Sequence, residues 1–203
     1  MNRIMSNRGG LCRPLDPYTR YDVVHARTFP EYGFAIYMRP LYLGSDAPLL
    51  YKWVNKEYIR PTGKRTIPYD EIIKTLIHTA HSDFGQVFTC MDEAGHPLCE
   101  VQVVRATQDD ELGLKSVERP GDYVLHLMPC LAAQEQNRAI IQTCVEYFLL
   151  HPEVKRILTL ADEENVRDNT TIRKAGFSLL TKILTPYKTD NLYEYLPIQP
   201  SHS

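Results

Sequence analysis

One segment of the chain constrains the fold more than any other. Residues 122–128 form an apolar-rich run, residues 134–150 have the spacing of an amphipathic helix, and residues 154–160 form a second run typical of a strand. Two strands joined through a helix of this length pair in parallel, because a hairpin cannot connect them. The segment therefore predicts a strand–helix–strand crossover in an α/β layered architecture.

The remaining patterns surround this crossover with antiparallel strands, since the short connection from Asp92 to Gly95 is typical of a hairpin. We predict strands at 34–39, 86–91, 98–105, 123–128, 154–160, 177–184 and 192–196, and helices at 46–55, after Pro68, at 134–150 and at 165–174. The expected α/β domain spans 31–198, with a partly ordered extension at 1–30 before it. Its sheet should be mixed, mostly antiparallel and twisted, with about seven strands and helices on both faces.

Composition excludes several classes of function. The formal net charge of −2 gives no general attraction to nucleic acid or to an anionic membrane. No apolar stretch has the length of a membrane span. The five cysteines are widely spaced and contain no CxxC pair, which argues against a disulfide framework or a zinc site. We expect no metal, a reducing compartment and a cytoplasmic protein.

The start of the helix at 134 is the first candidate site. The first turn of a helix has free backbone N–H groups and a partial positive charge, so it attracts phosphate. The candidate residues are Gln134, Gln136, Asn137, Arg138 and Ala139. Taken alone, these residues also fit an ordinary crossover helix, because the turn lacks the glycines that ease backbone access to phosphate.

From Asp122 onward, the chain resembles the GNAT superfamily of acyl-coenzyme A-dependent N-acyltransferases. Gln134-x-x-Asn137-x-Ala139 is similar to the family's phosphate loop, Q/R-x-x-G-x-G/A, with Asn137 in the place of a glycine. Asn165 and the later Lys174-Ala-Gly-Phe177 resemble the family's Asn and K-A-G-F at the same spacing. The resemblance implies acetyl-CoA or another acyl-CoA as co-substrate, with Asn165 hydrogen-bonded to its pantetheine arm. Asn165 also fits a helix cap.

Within the superfamily, the chain resembles the siderophore-biosynthesis acyltransferases of the aerobactin, rhizobactin and mycobactin types. The similar motifs, spread over 34–197, are Trp53-Val-Asn55, Glu100-Val101, Asp122-x-x-x-His126-Leu127 and Pro186-Tyr-Lys188. This resemblance implies that the enzyme acylates an N-hydroxylated amine, either N-hydroxylysine or an N-hydroxydiamine. The product would be a hydroxamate that chelates iron.

The resemblance also implies catalytic roles. His126 would remove the proton from the attacking nitrogen, and Asp162 would orient the acceptor or the base. Backbone N–H groups of Leu127 or Met128 would polarise the thioester carbonyl. From the residues alone, His126 also fits a packed strand histidine and Asp162 a solvated turn carboxylate.

We expect the first helices and the polar loop at 107–121 to shape the acceptor pocket. The candidate acceptor-binding residues are Trp53, Glu100 and Asp122, and the acidic residues Glu100, Asp109, Asp110 and Asp122 would attract a cationic acceptor. The partner is thus a small-molecule amine or hydroxylamine, with no nucleic acid and no membrane. The superfamily commonly forms dimers, so the resemblance is compatible with a homodimer.

Three alternatives stay open at this point. An aminoglycoside or polyamine acetyltransferase would share the cofactor site and differ in the acceptor pocket. A protein N-acetyltransferase would also fit the Asn…Ala-Gly-Phe pattern. A catalytically silent GNAT-like binding domain is the third alternative, and the absent glycines of the phosphate loop are its main support.

Overall fold

Among the residues that the computed structural model describes, 10–56, 66–108, 114, 117–128, 132–184 and 188–197, eight strands form a single sheet. The strands are β1 (His25–Phe29), β2 (Phe34–Pro40), β3 (Gly85–Met91), β4 (Pro97–Arg105), β5 (Asp122–Leu127), β6 (Arg156–Asp162), β7 (Ser178–Leu184) and β8 (Thr189–Tyr195). The helices are α1 (Leu43–Val54), α2 (Tyr69–Ala80), α3 (Gln134–Leu149) and α4 (Val166–Lys174), with a 3₁₀ turn at Ala106–Gln108.

The predicted crossover is confirmed. The spatial order of the strands is β1-β2-β3-β4-β5-β6-β8-β7, and β5 pairs with β6 in parallel, whereas the other neighbouring strands in the described part are antiparallel. The helix α3 connects the two parallel strands, as a parallel connection requires. The mixed, mostly antiparallel sheet is thus the one that the sequence predicts.

The strand count differs by one from the prediction, because β1 lies inside the segment expected to be an extension. In His25–Phe29 only Phe29 is buried, and the other residues alternate between partly buried and exposed. Such a weak apolar pattern is typical of an edge strand, and among the strands that the structure describes β1 pairs only with β2. Leu11 and Cys12, earlier still, are buried in the main core.

Helices cover both faces of the sheet, as predicted. α3 and α4 pack on one face, where Ile140, Phe148 and Ile172 join the main core. α1 and α2 pack on the opposite face over Val87, through Leu50 and Leu76. No helix in the described part of the chain is long and apolar enough to cross a membrane.

Candidate functional site

The parallel pair β5–β6 opens towards its carboxyl end. Paired residues run from Asp122 and Arg156 to Val124 and Leu158, although β5 continues to Leu127 and β6 to Asp162. Beyond the last pair, the Thr159 hydroxyl donates to the Leu125 carbonyl at 2.9 Å, so a side chain replaces the sheet hydrogen bond. A crevice at the carboxyl ends of parallel strands is the usual ligand position in α/β sheets.

One backbone N–H of β5 faces this opening. The N–H of Met128 donates to the Glu100 carbonyl on β4 at 2.9 Å. Because successive N–H groups of a strand point to opposite sides, the N–H of Leu127 faces β6 and the opening. Of the two groups expected to polarise a thioester, Leu127 therefore has the required direction, and the expectation for Met128 is wrong because its N–H is engaged by β4.

His126 and Asp162 lie on the same face of the sheet, on the two sides of the opening. His126 pairs with Gln102 of β4, and Gln102 lines a pocket between α1, α2 and the sheet. Asp162 follows Leu158 and Leu160 in alternation on that face. One Asp162 oxygen, Oδ1, accepts the N–H of Glu164 at 2.9 Å, so this carboxylate also holds the turn after β6.

The start of α3 lies next to the same opening, since it follows β5 in the chain. The Asn137 N–H makes the first bond within the helix, to the Ala133 carbonyl at 2.9 Å, and the Gln136 side chain accepts the Ala133 N–H at 3.0 Å. The N–H groups of Gln134, Glu135 and Gln136 have no acceptor one turn earlier in the helix. They form a cluster of backbone donors suited to an anion.

The side chains expected to contact phosphate are engaged by the protein instead. Arg138 donates through Nη1 to the Tyr32 hydroxyl at 3.1 Å, and Ala139 is fully buried in the main core. Gln134 contacts Thr171 of α4 at 3.5 Å. The structure therefore does not support phosphate contacts from the side chains of Arg138 or Ala139, and the backbone donors of the first turn remain as candidates.

Arg167 is a cation beside this helix start that the sequence analysis missed. Its Nη2 donates to the Ala132 carbonyl at 3.3 Å, directly before α3. Arg167 lies in the first turn of α4, where the helix dipole disfavours a positive charge. An arginine at the start of a helix is the sequence feature that could have indicated an interaction of Arg167 with another part of the structure.

Asn165 caps α4. Its Oδ1 accepts the Asp168 N–H at 3.1 Å, and its Nδ2 donates to the Asp168 carboxylate at 2.7 Å. The capping interpretation of the sequence is thus confirmed. Contact with a pantetheine arm stays a prediction, for which the exposed position of Asn165 leaves access.

Asn169 is a second residue that the sequence analysis missed. It is buried and its amide is fully engaged: Nδ2 donates to the carbonyls of Asp162 and Asn165, both at 2.7 Å. Its Oδ1 accepts from Asn191 at 2.8 Å and from the Tyr193 hydroxyl at 2.7 Å. One amide therefore fixes α4 to the ends of β6 and β8, beside the opening.

Two of the expected acceptor-binding residues lie elsewhere. Trp53 is buried in the core between α1, α2 and the sheet. Asp122 begins β5, at the closed end of the parallel pair, where its carboxylate accepts from Arg156 and from the Arg119 N–H at 2.7 Å. Neither side chain is placed to contact an acceptor at the open end. The acidic residues Asp109 and Asp110 lie outside the described residues.

Glu100, the third residue expected to bind the acceptor, cannot contact it because its side chain is fully buried. Both of its carboxylate oxygens lie 3.2 Å from the Thr89 hydroxyl, which also lies 2.7 Å from Asp46 Oδ2. Asp46 in turn accepts two bonds of 2.7 Å from the Arg39 guanidinium. The four side chains form one buried network that attaches α1 to the sheet.

The charges in this network are unequal. Burial and the neighbouring Asp46 carboxylate raise the pKa of Glu100 well above its usual value. Burial would also raise the pKa of Asp46, but hydrogen bonds, chiefly from Arg39, hold it below its usual value. Arg39 and Asp46 therefore form the ion pair, and the Thr89 hydroxyl lies between this pair and Glu100.

Comparison with known proteins identifies the family. A model of the acetyltransferase (GNAT) domain matches residues 43–184, which is more than half of the chain. The chain therefore belongs to the GNAT acetyltransferase family. A search of curated protein sequences gave no match.

Several solved structures share the fold. An uncharacterized protein from Bacillus halodurans is 16% identical with a TM-score of 0.71, covering 84% of this chain and 89% of its own. The aminoglycoside acetyltransferase AAC(6')-Ib, solved with coenzyme A, is 18% identical with a TM-score of 0.70, covering 79% and 94%. A spermidine N-acetyltransferase chimera from Vibrio cholerae and hSSAT is 12% identical with a TM-score of 0.62, covering 79% of this chain and 95% of its own.

The buried network predicts a pH-dependent effect of Glu100→Gln. A carboxyl whose pKa is raised by folding costs no stability below the pKa of the unfolded chain, about 4.3, and destabilises the fold increasingly as the pH rises above it. Urea unfolding should therefore show the free energy of unfolding of Glu100→Gln rising relative to that of wild type as the pH increases from 4.5 to 7.5, by up to about 1.4 kcal/mol per pH unit.

The matched control is Glu93→Gln, at an exposed position in the β3–β4 hairpin. Its difference from wild type should not change with pH. A constant difference for Glu100→Gln over the same range would contradict the raised pKa of Glu100.

Proposed function

We propose that this GNAT protein transfers an acyl group from acyl-CoA, most simply acetyl-CoA, to the nitrogen of a small-molecule acceptor at the opening between β5 and β6. The observation that carries the proposal is the early end of the parallel pairing at Val124 and Leu158. It leaves a gap for an extended ligand arm between two strands whose neighbours stay paired. The start of α3 lies at the mouth of this gap.

The residues at the mouth fit the charge of coenzyme A. The backbone donors at Gln134, Glu135 and Gln136 would hold the pyrophosphate, as a helix start does for other phosphates. Arg167 would add a charge-assisted contact beside them. Asn165, exposed at the rim, would donate to or accept from the amides of the pantetheine arm.

The side chains inside the opening fit direct transfer. The acceptor nitrogen forms a bond to the acyl carbon, the carbon–sulfur bond breaks, and the thiol of free coenzyme A leaves. His126 would take the proton of the nitrogen and return it to the departing sulfur. The Leu127 N–H would stabilise the negative charge on the carbonyl oxygen, and Asp162 would orient the acceptor.

We further infer that the acceptor is an N-hydroxylated amine, which would give a hydroxamate of the kind used in siderophores. The resemblance of the motif around His126 to the siderophore acyltransferases supports this acceptor. A hydroxylamine nitrogen is also a good nucleophile at neutral pH. The names of the structural neighbours favour a second class of acceptor, an aminoglycoside or a polyamine.

Thiol release tests the acceptor and the base together. With acetyl-CoA, N-hydroxycadaverine or N-hydroxylysine should be turned over, and spermidine, kanamycin and a basic peptide should not. His126→Ala and His126→Gln should lower kcat by about 10²–10⁴-fold, the usual contribution of a general base. Thermal stabilisation by acetyl-CoA should persist in both variants, because His126 is not placed against the phosphates.

If kanamycin or spermidine alone were turned over, the proposed transfer reaction would stand and the proposed N-hydroxylated acceptor would be wrong. Absence of thiol release with every acceptor, together with no stabilisation at millimolar acetyl-CoA, would sink the enzyme proposal. A ligand that binds only the folded state at 100 times its Kd must add about 2.7 kcal/mol of stability.

Arg167→Gln should raise the KM for acetyl-CoA about three- to tenfold with little change in kcat. The reason is the loss of one exposed, charge-assisted phosphate contact worth about 1 kcal/mol. Arg173→Gln is the control, since Arg173 is an exposed arginine at the other end of α4. Equal KM values for the two variants would remove Arg167 from the cofactor site.

A further inference from the structure

A pocket of about 200 Å³ lies on the face of the sheet that carries His126. Aliphatic side chains form most of its wall. Leu50 and Val54 come from α1, Ile72 and Leu76 from α2, and Val87 from β3. Ile67, shortly before α2, and Met128, directly after β5, complete it. The polar lining residues are Thr75, Thr79 and Gln102. Among the described residues that line the pocket, Glu71 is the one with a charge.

The inner end of the pocket is one strand away from His126. Val87 pairs with Gln102, and Gln102 pairs with His126, so the three residues form one row across β3, β4 and β5. Paired residues point to the same face, and neighbouring strands are about 4.8 Å apart. The Gln102 amide donates to the Thr79 hydroxyl at 2.9 Å, which satisfies this polar donor within the wall.

Glu71 lies towards the other end. Thr79 contacts the inner wall, and Glu71 precedes it by eight residues on α2. Eight residues correspond to about 12 Å along a helix axis. A ligand that places a nitrogen at His126 can therefore extend along the aliphatic wall towards an exposed carboxylate.

We propose that this pocket binds the aliphatic chain of the acceptor, and that the acceptor is a linear hydroxylamine or amine whose far end is a cationic amino group paired with Glu71. The inference rests on the proposed transfer reaction and narrows its substrate class. Pockets for drug-sized ligands measure about 300–1,000 Å³. A multi-ring, polycationic aminoglycoside fits neither the smaller volume nor the aliphatic walls.

Chain length tests the aliphatic wall. With acetyl-CoA fixed, kcat/KM should rise about three- to fourfold per methylene from N-methylhydroxylamine to N-propyl- and N-pentylhydroxylamine, the gain expected for burying each CH₂. Thr75→Phe places a large side chain in the pocket from an exposed helix position and should abolish this dependence while sparing N-methylhydroxylamine. Lys74→Phe is the control, because Lys74 is exposed on the same helix and does not line the pocket.

Glu71→Gln tests the cation. It should raise the KM for N-hydroxycadaverine several-fold and leave that for N-pentylhydroxylamine unchanged. The control is Asp70→Asn, an exposed acidic neighbour outside the lining. Equal effects of Glu71→Gln on both acceptors would remove the cationic group from the proposal.

Other results would overturn the pocket assignment. Rates independent of chain length, or equal loss with N-methyl- and N-pentylhydroxylamine in Thr75→Phe, would exclude the acceptor chain. If Thr75→Phe instead impaired only octanoyl-CoA relative to acetyl-CoA, the pocket would belong to the acyl chain. If no acceptor released thiol, the transfer proposal would fail, and calorimetric binding of N-hydroxycadaverine would test the pocket separately. Binding to wild type that is lost in Thr75→Phe would support the pocket. No binding to wild type would overturn it.

Discussion

The parallel pairing of β5 with β6 determines the rest of this structure. At its closed end, the Arg156 guanidinium binds Asp122, and it also donates to Glu194 on β8 at 2.9 Å. Removing one partner from such a buried ion pair typically costs about 3–5 kcal/mol, so this end is fixed. At the other end, the Thr159 hydroxyl donates to the Leu125 carbonyl in place of a backbone N–H, and the strands separate. A firmly held closed end is what allows a stable gap at the other.

The two faces of the sheet place different groups around that gap. The face with α3 and α4 supplies the helix start and Arg167, both suited to an anionic group, and the buried Asn169 amide holds α4 in place beside them. The opposite face supplies His126 and the aliphatic pocket under α1 and α2. An acyl group entering from the first face and a nitrogen arriving from the second would meet between the strands, at Leu127.

The sequence was sufficient to predict the parts that depend on local pattern. The apolar runs around 122–160 predict the crossover that β5, α3 and β6 form, whereas the anion site at the start of α3 stays a prediction. The sequence was insufficient to predict contacts that depend on the register between strands far apart in the chain. Whether Met128 donates to β4, or Glu100 is buried under Thr89, depends on pairing between distant segments. The contact of Arg167 with the Ala132 carbonyl depends on how α4 packs beside α3, which the sequence does not show.

A crystal structure with bound acetyl-CoA would show whether acyl transfer takes place in the β5–β6 opening. We expect the thioester carbonyl oxygen at hydrogen-bond distance, about 2.7–3.2 Å, from the Leu127 nitrogen. We also expect the pyrophosphate on the N–H groups of Gln134, Glu135 and Gln136. A pantetheine arm bound along another edge of the sheet, or no bound acetyl-CoA at millimolar concentration, would contradict transfer in this opening.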